Sequence, residues 1–204
     1  MSRPFHVGKD RTREDDEMTG TIEEHQSMPR GRVPNSRYPL LIHRGGVPGG
    51  GMDAVRTRFQ ENGWLNNWNY PGIYLYHHFH STSHECLGVA EGWMELELFG
   101  KGGTKVRVEA GDVVVMPAGV SHAMIGNSED VMVVGGYPEG RDWDNIQEEF
   151  VSEADFRAAA KLIMSLPIPA SDPVTGSPLS RWRDAPSSVD AGWNDFRDGL
   201  DATG

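Results

Sequence analysis

The chain has 204 residues, 37% of them hydrophobic, with 25 glycines and 13 prolines. That length suits one domain with extensions, and that composition favours many short strands joined by tight turns over long helices. The formal charge of −11 argues against a nucleic-acid partner or an anionic membrane surface, because both require a basic face.

Residues 1–37 mix Arg, Asp, Glu, Pro and Gly with few large apolar side chains. Such a stretch buries too little to offset its ordering entropy, so a flexible arm is expected, with His6 and His25 solvated on it. It lacks the apolar core of a signal peptide, and no apolar run approaches a membrane span, so a soluble cytoplasmic protein is expected. The single cysteine, Cys86, cannot form an intrachain disulfide, which fits a reducing compartment.

The folded part is expected to begin with an edge strand over residues 38–43, where Pro39 is tolerated. The loop GGVPGGG follows. It lacks the Lys-Ser/Thr ending of a phosphate cradle and reads as a flap or spacer. Residues 53–61 form an expected helix, capped by Asp53 and stopped at Asn62 and Gly63. Trp64 and Trp68, in the polar run GWLNNWNY, either line a pocket or plug one end of the core, and burial is the commoner role of large aromatics.

Short, turn-bounded strands then follow over residues 72–80, 85–90, 93–99, 104–109, 112–116, 121–125 and 131–137. Gly100, Lys101, Gly102 and Gly103 turn one hairpin. Such spacing indicates an all-β sandwich or barrel. After a loop at 138–145, residues 152–164 read as an amphipathic helix, capped by Ser152 with Asp155 and striped by Phe156, Ala159, Ala160, Ile163 and Met164. The chain beyond is extended, with Trp182 as an anchor. The expected organisation is an arm over 1–37, a single barrel with short flanking helices over 38–170, and an extended or disordered tail over 171–204.

Candidate chemistry concentrates in GIYLYHHFHSTSHECLGVAEG, residues 72–92. Strand alternation puts His78 and His80 on one face, with Tyr74 and Tyr76 as candidate pocket residues, while His77 and Phe79 face the opposite layer and His77 reads as structural. Two histidines on one face are half a metal site. Glu85 follows a short turn that returns a hard oxygen ligand to the same point. The fourth ligand is assigned to His122, beyond the turn at Pro117 and Gly119. Three neutral imidazoles and one carboxylate suit a single divalent transition metal, Fe, Mn, Ni, Co, Cu or Zn, and leave one or two positions open. Cys86 is sent into the wall by the same alternation and packs as a small apolar residue. His84 has three readings: support to a ligand, proton shuttle, or turn residue without chemistry.

The two stretches read G-x5-H-x-H-x4-E-x6-G, filled by Gly72, His78, His80, Glu85 and Gly92, and G-x5-P-x-G-x2-H-x3-N, filled by Gly111, Pro117, Gly119 and His122. This pattern resembles the cupin superfamily, with one departure: Gly126 stands at the final Asn position and Asn127 comes one residue late. The phrases HHFHSTSHECLGV, DVVVMPAGVSH, VVGGYPEG and LPIPASDPVTG are similar to the YjlB-like single-domain cupins of bacteria and fungi. The resemblance implies an RmlC-like jelly roll, the cupin double-stranded β-helix, with metal held by His78, His80, Glu85 and His122. It implies a metal-dependent enzyme acting on a small organic molecule, first of all a dioxygenase-like oxidoreductase. Glu85, Tyr74, Tyr76 and His84 are then its candidate catalytic groups. An isomerase or lyase, or a noncatalytic small-ligand binder with a structural metal, fits the same resemblance. A cavity open above the metal favours an enzyme; a mouth sealed by Trp64 or Trp68 favours a structural metal. Family precedent also suggests a homodimer, paired through the edge at 38–43.

Overall fold

Alternating apolar residues fold this chain into two antiparallel sheets with few helices. The computed structural model describes residues 20–184 together with Trp193, Asp195, Phe196 and 198–200. In chain order the elements are β1 (Ile22–His25), β2 (Leu40–His43), α1 (Met52–Glu61), β3 (Trp64–Tyr70), β4 (His78–Phe79), β5 (Glu85–Glu91), β6 (Trp93–Leu98) and β7 (Thr104–Glu109). They continue with β8 (Val113–Met116), β9 (His122–Asn127), β10 (Met132–Pro138), β11 (Ile146–Gln147), α2 (Glu153–Ser165) and α3 (Ser180–Arg183). One sheet has six strands in the order β1-β2-β8-β5-β10-β3, and the other has five in the order β11-β4-β9-β6-β7.

The period of two along each strand sorts side chains into layers. Leu40, Ile42, Leu87, Val89, Val114 and Val133 meet Met94, Leu96, Leu98 and Val108 of the other sheet in the central core. Their neighbours Leu41, Cys86, Val113, Val115 and Val134 point to the outer face of the six-stranded sheet. There Val55 and Phe59 of α1 cover them, with Trp64 and Trp182. Gly88 lets α1 approach, since a Cβ there would lie 2.3 Å from Val55 Cγ1.

Several expected boundaries move. The arm expected over 1–37 lies outside the described residues up to Thr19, but β1 pairs along all of β2. That pairing is backed by Arg44, whose guanidinium reaches both Glu23 and Asp112. β2 is therefore no edge, because β1 and β8 flank it, and the edge-to-edge homodimer expected there loses its free edge. Asp53 does not cap α1: Gly51 occupies the cap position without a side-chain bond, and the Asp53 carboxylate accepts from Arg56 instead. Ser152 does cap α2, accepting from Asp155 N.

The polar run holding Trp64 and Trp68 is strand β3, paired with β10. The strand expected over 72–80 is reduced to two residues, because the chain bends at Gly72, where φ is 89°, and again at Leu75 and Tyr76 before β4 begins. The late Asn127 also has a physical account. The β6–β9 register pairs Leu96 with Met124 and Glu95 with Gly126, so Ile125 is a bulge that absorbs one extra residue. The segment from 171 to 184 is tied down: Trp182 is fully buried, stacks on Tyr38 and donates from Nε1 to Pro39 O at 2.8 Å.

Candidate metal centre and its cavity

His78 opens β4 and lies across from His122, which opens β9. His80 follows two residues later on the same side, and Glu85 opens β5 of the facing sheet. All four side chains are buried. Among the described residues, one ligand atom from each of His78, His80 and His122 lies within 4.8 Å of the others.

The three rings share one orientation. His78 Nδ1 faces Tyr76 O at 3.2 Å, His122 Nδ1 faces Val120 O at 3.0 Å, and His80 Nδ1 faces the Asp144 carbonyl. A carbonyl only accepts, so each Nδ1 carries the proton and each neutral ring offers its Nε2 lone pair. Glu85 Oε2 lies 3.3 Å from His80 Nε2 and 3.5 Å from His122 Nε2. A carboxylate facing imidazole lone pairs is satisfied by a cation or a proton between them. Borderline nitrogen donors with one hard oxygen fit a divalent transition metal.

A proton on a facing imidazole can take the place of that cation, and the electrostatics of the cluster show it. Burial alone would raise the Glu85 carboxyl, but His80 and His122 outweigh it and hold Glu85 below the usual carboxylate range. Burial works against charge on His80, and Glu85 outweighs it in turn, so its pKa is raised. His78 is pushed down to about 2, first by burial and then by His122 and His80, and stays neutral. The Tyr137 phenol is raised well above its ordinary value by burial and then by Glu85, so it remains a donor. It donates to Glu85 Oε1 at 2.7 Å and accepts from Trp68 Nε1 at 3.0 Å.

A cavity of about 390 Å3 lies above these groups, walled by Trp68, Tyr70, Ile73, Tyr74, Tyr137 and Trp143. Tyr70 and Tyr74 are exposed, so the cavity reaches solvent past them. Trp64 does not seal it, being buried in the outer layer with its Nε1 on Ser171 O, and Trp68 stands in the wall. Tyr74 stands in the lining, its ring edge-on to His78 at 5.0 Å.

Tyr76 is not in the cavity lining, but its ring stacks on Tyr74 and meets His78 edge-on at 5.6 Å, and its hydroxyl accepts from Asn145. A bend at Leu75 and Tyr76, just before β4, breaks the alternation on which that assignment rested. His84 is also absent from the cavity. Its Nδ1 accepts from Ala118 N at 2.9 Å, its Nε2 faces Pro167 O at 3.3 Å, and burial lowers it to about 4. It is a neutral ring tying β5 to two loops. His77 is held by Glu97 at 2.8 Å and lies near Ser121 and Glu148. Cys86 is buried in the outer layer, and burial raises its thiol.

Spacing did not find Tyr137, Trp143 or Asp144. Asp144 receives Ser81 N, Ser81 Oγ, Thr82 N and Thr82 Oγ1 on its carboxylate while its own carbonyl orients His80. Burial would raise its carboxyl, but the Ser81 and Thr82 donors outweigh it and lower it. Tyr137 was within reach: alternation from Val133 through Gly135 carries it to the inner face of β10.

No helix among the described residues is long and apolar enough to cross a membrane. Residues 71–134 match the cupin domain family. Over 154 residues the chain is 34% identical to the uncharacterized protein YjlB of Bacillus subtilis (strain 168), covering 72% of this chain and 86% of YjlB. Among solved structures, a tryptophan-to-tyrosine variant of Bacillus subtilis oxalate decarboxylase is similar at a TM-score of 0.35 and 16% identity, over 63% of this chain and 34% of that one. The same Bacillus subtilis enzyme at pH 4.6 gives 0.33 and 16%, over 63% and 33%. The chain therefore spans about a third of the length of those solved enzymes. With the two histidine-bearing stretches converging as the motif requires, and with YjlB related over most of its length, this chain belongs to the cupin superfamily, among the YjlB-like cupins.

Proposed function

We propose that the chain is a metal-dependent enzyme acting on a small organic molecule, and that a dioxygenase-like oxidation is its reaction. The observation that carries this reading is an open cavity of about 390 Å3 with His78, His80, His122 and Glu85 in its lining. A metal held only as a staple needs no solvent-accessible chamber above it. His78, His80 and His122 would hold the metal through Nε2, and Glu85 through Oε2. When bound, a redox-active metal supplies Lewis acidity and a site for oxygen.

The chain's own residues bind, orient and move protons. Glu85 is the one carboxylate among the described lining residues, and with its Oε2 swung off the metal it would accept a proton leaving a substrate hydroxyl. Tyr137 fixes Glu85 in place while staying protonated. Tyr74, at the mouth beside His78, offers a phenol to the outer part of a substrate. The same base beside a Lewis acid also supports an isomerase or lyase, and Glu85 is the observation in its favour.

The test is metal content by mass spectrometry on untagged full-length protein, beside a His78→Ala/His122→Ala variant. Near-stoichiometric Fe, Mn, Ni, Co or Cu in the wild type, lost in the variant, supports the oxidative reading. Zn alone moves the weight to the isomerase or lyase. Wild-type protein that retains none of these metals after being offered each one overturns the proposal.

A further inference from the structure

The chemistry of the cavity above the donor cluster restricts what it can accept. Its walls are largely aromatic. Trp143 stacks on Tyr137 with ring centroids 5.8 Å apart and planes at 18°, and it sits edge-on to His80 at 5.3 Å. Tyr74 meets His78 edge-on at 5.0 Å, and Trp68 and Tyr70 complete the rim. Tyr74 and Tyr76 thus lean on His78, and Trp143 and Tyr137 on His80, so rings flank the donor cluster. Flat aromatic faces favour flat ligands, through offset stacking and edge-to-face contacts.

Charge narrows the class further. Among the described residues lining the cavity there is no Lys or Arg; its ionisable side chains are three tyrosines, three histidines and Glu85. A ligand with a second full negative charge, such as a dicarboxylate, would place that charge against rings or beside Glu85 with no cation to pair it. Burying an unpaired charge is strongly unfavourable. A phenolic or enolic hydroxyl meets the opposite situation. It is neutral until it reaches Glu85, and the rest of its conjugated ring suits the walls. The volume, about 390 Å3, is in the lower part of the range for small-molecule sites and accommodates a compact ring system.

We infer that the substrate is a planar aromatic or conjugated ring bearing a phenolic or enolic hydroxyl and no second charged group, held between Tyr74 and the Tyr137–Trp143 stack. This inference rests on the proposed metal-dependent reading for the end of the substrate that meets Glu85, and on the walls alone for the ring.

The test is calorimetric titration of the metal-loaded full chain with catechol and, separately, with malonate, repeated on Trp143→Leu and Tyr74→Leu. Catechol is expected to bind at least tenfold more tightly than malonate, and each variant to weaken it at least fivefold with its metal content unchanged. Malonate binding as tightly as catechol, no catechol binding, or full affinity in both variants overturns the inference. A parallel titration of chelator-treated protein with phenol separates the two layers. Retained binding that depends on Trp143 or Tyr74 upholds the ring slot even where the metal reading fails, and its loss from wild-type protein sinks the slot itself.

Discussion

Tyr137 donates its hydroxyl proton to Glu85 Oε1 at 2.7 Å, leaving Oε2 as the oxygen that faces His80 and His122. One phenol therefore decides which carboxylate oxygen meets the donor cluster. Tyr137→Phe removes that donor and the acceptor for Trp68 Nε1 but keeps the ring stacked on Trp143. Losing a hydrogen bond to a buried charge is expected to cost about 2 kcal/mol. Metal affinity is expected to fall about tenfold, as for other groups that orient ligands. Urea unfolding and chelator competition measure the two effects. Unchanged competition would show that Glu85 holds its position without Tyr137.

Asp144 acts on the same centre through its main chain and its side chain together. Its carboxylate gathers four donors from Ser81 and Thr82 while its carbonyl orients His80. Asp144→Ala leaves those donors unpaired, so a loss of about 2–3 kcal/mol in stability and about tenfold in metal affinity is expected. Asp144→Asn keeps an oxygen acceptor and should recover about half the loss. Equal behaviour of the two variants in the same competition would contradict this account.

These two residues show what the sequence could disclose. His78, His80 and Glu85 were legible because alternation and turn spacing act over a few residues, whereas His122, far along the chain, was reached through the second stretch of the cupin-like pattern. Asp144 was not, since the group that orients His80 is a backbone carbonyl, which every residue possesses. The parity that puts Tyr74 and Tyr76 on one face with His78 is interrupted by the bend at Leu75 and Tyr76, and only Tyr74 reaches the cavity. Strand β1 escaped because four polar-leaning residues become a strand only by pairing with β2 and by the Arg44–Glu23 ion pair. Its stability lies in contacts distant in sequence.

Gly88 tests the packing that supports β5 from behind. A Cβ at this position would lie 2.3 Å from Val55 Cγ1 and 3.0 Å from Phe59 Cζ, so Gly88→Ala must push α1 outward. Overpacking of this kind is expected to cost about 1–3 kcal/mol. The donor cluster faces the other side of the strand, so metal stoichiometry should be unchanged. Thermal unfolding without a measurable decrease in stability would mean that α1 is free to shift.

Asp172 fastens the C-terminal segment to β2 and carries the pH dependence with the clearest sign. Its Oδ2 accepts from His43 Nε2 at 2.9 Å, and its Oδ1 accepts from Val174 N and Thr175 N. Burial would raise the carboxyl, but His43 and the two backbone donors outweigh it, and the folded pKa is lowered. A carboxyl with a depressed folded pKa binds fewer protons folded than unfolded. Its stabilisation is therefore fully present above the ordinary Asp value, about 3.9, and is lost as pH falls through the folded value. Asp172→Asn keeps acceptors for the backbone N–H groups but removes the charge facing His43. It is expected to be about 2 kcal/mol less stable than wild type at pH 7, and the gap should hold at pH 5 and narrow below about pH 4. Urea midpoints of both proteins at pH 7, 5 and 3.5 measure it. A gap that stays constant down to pH 3.5 would assign the effect to packing at position 172 and leave the carboxylate charge without a part in it.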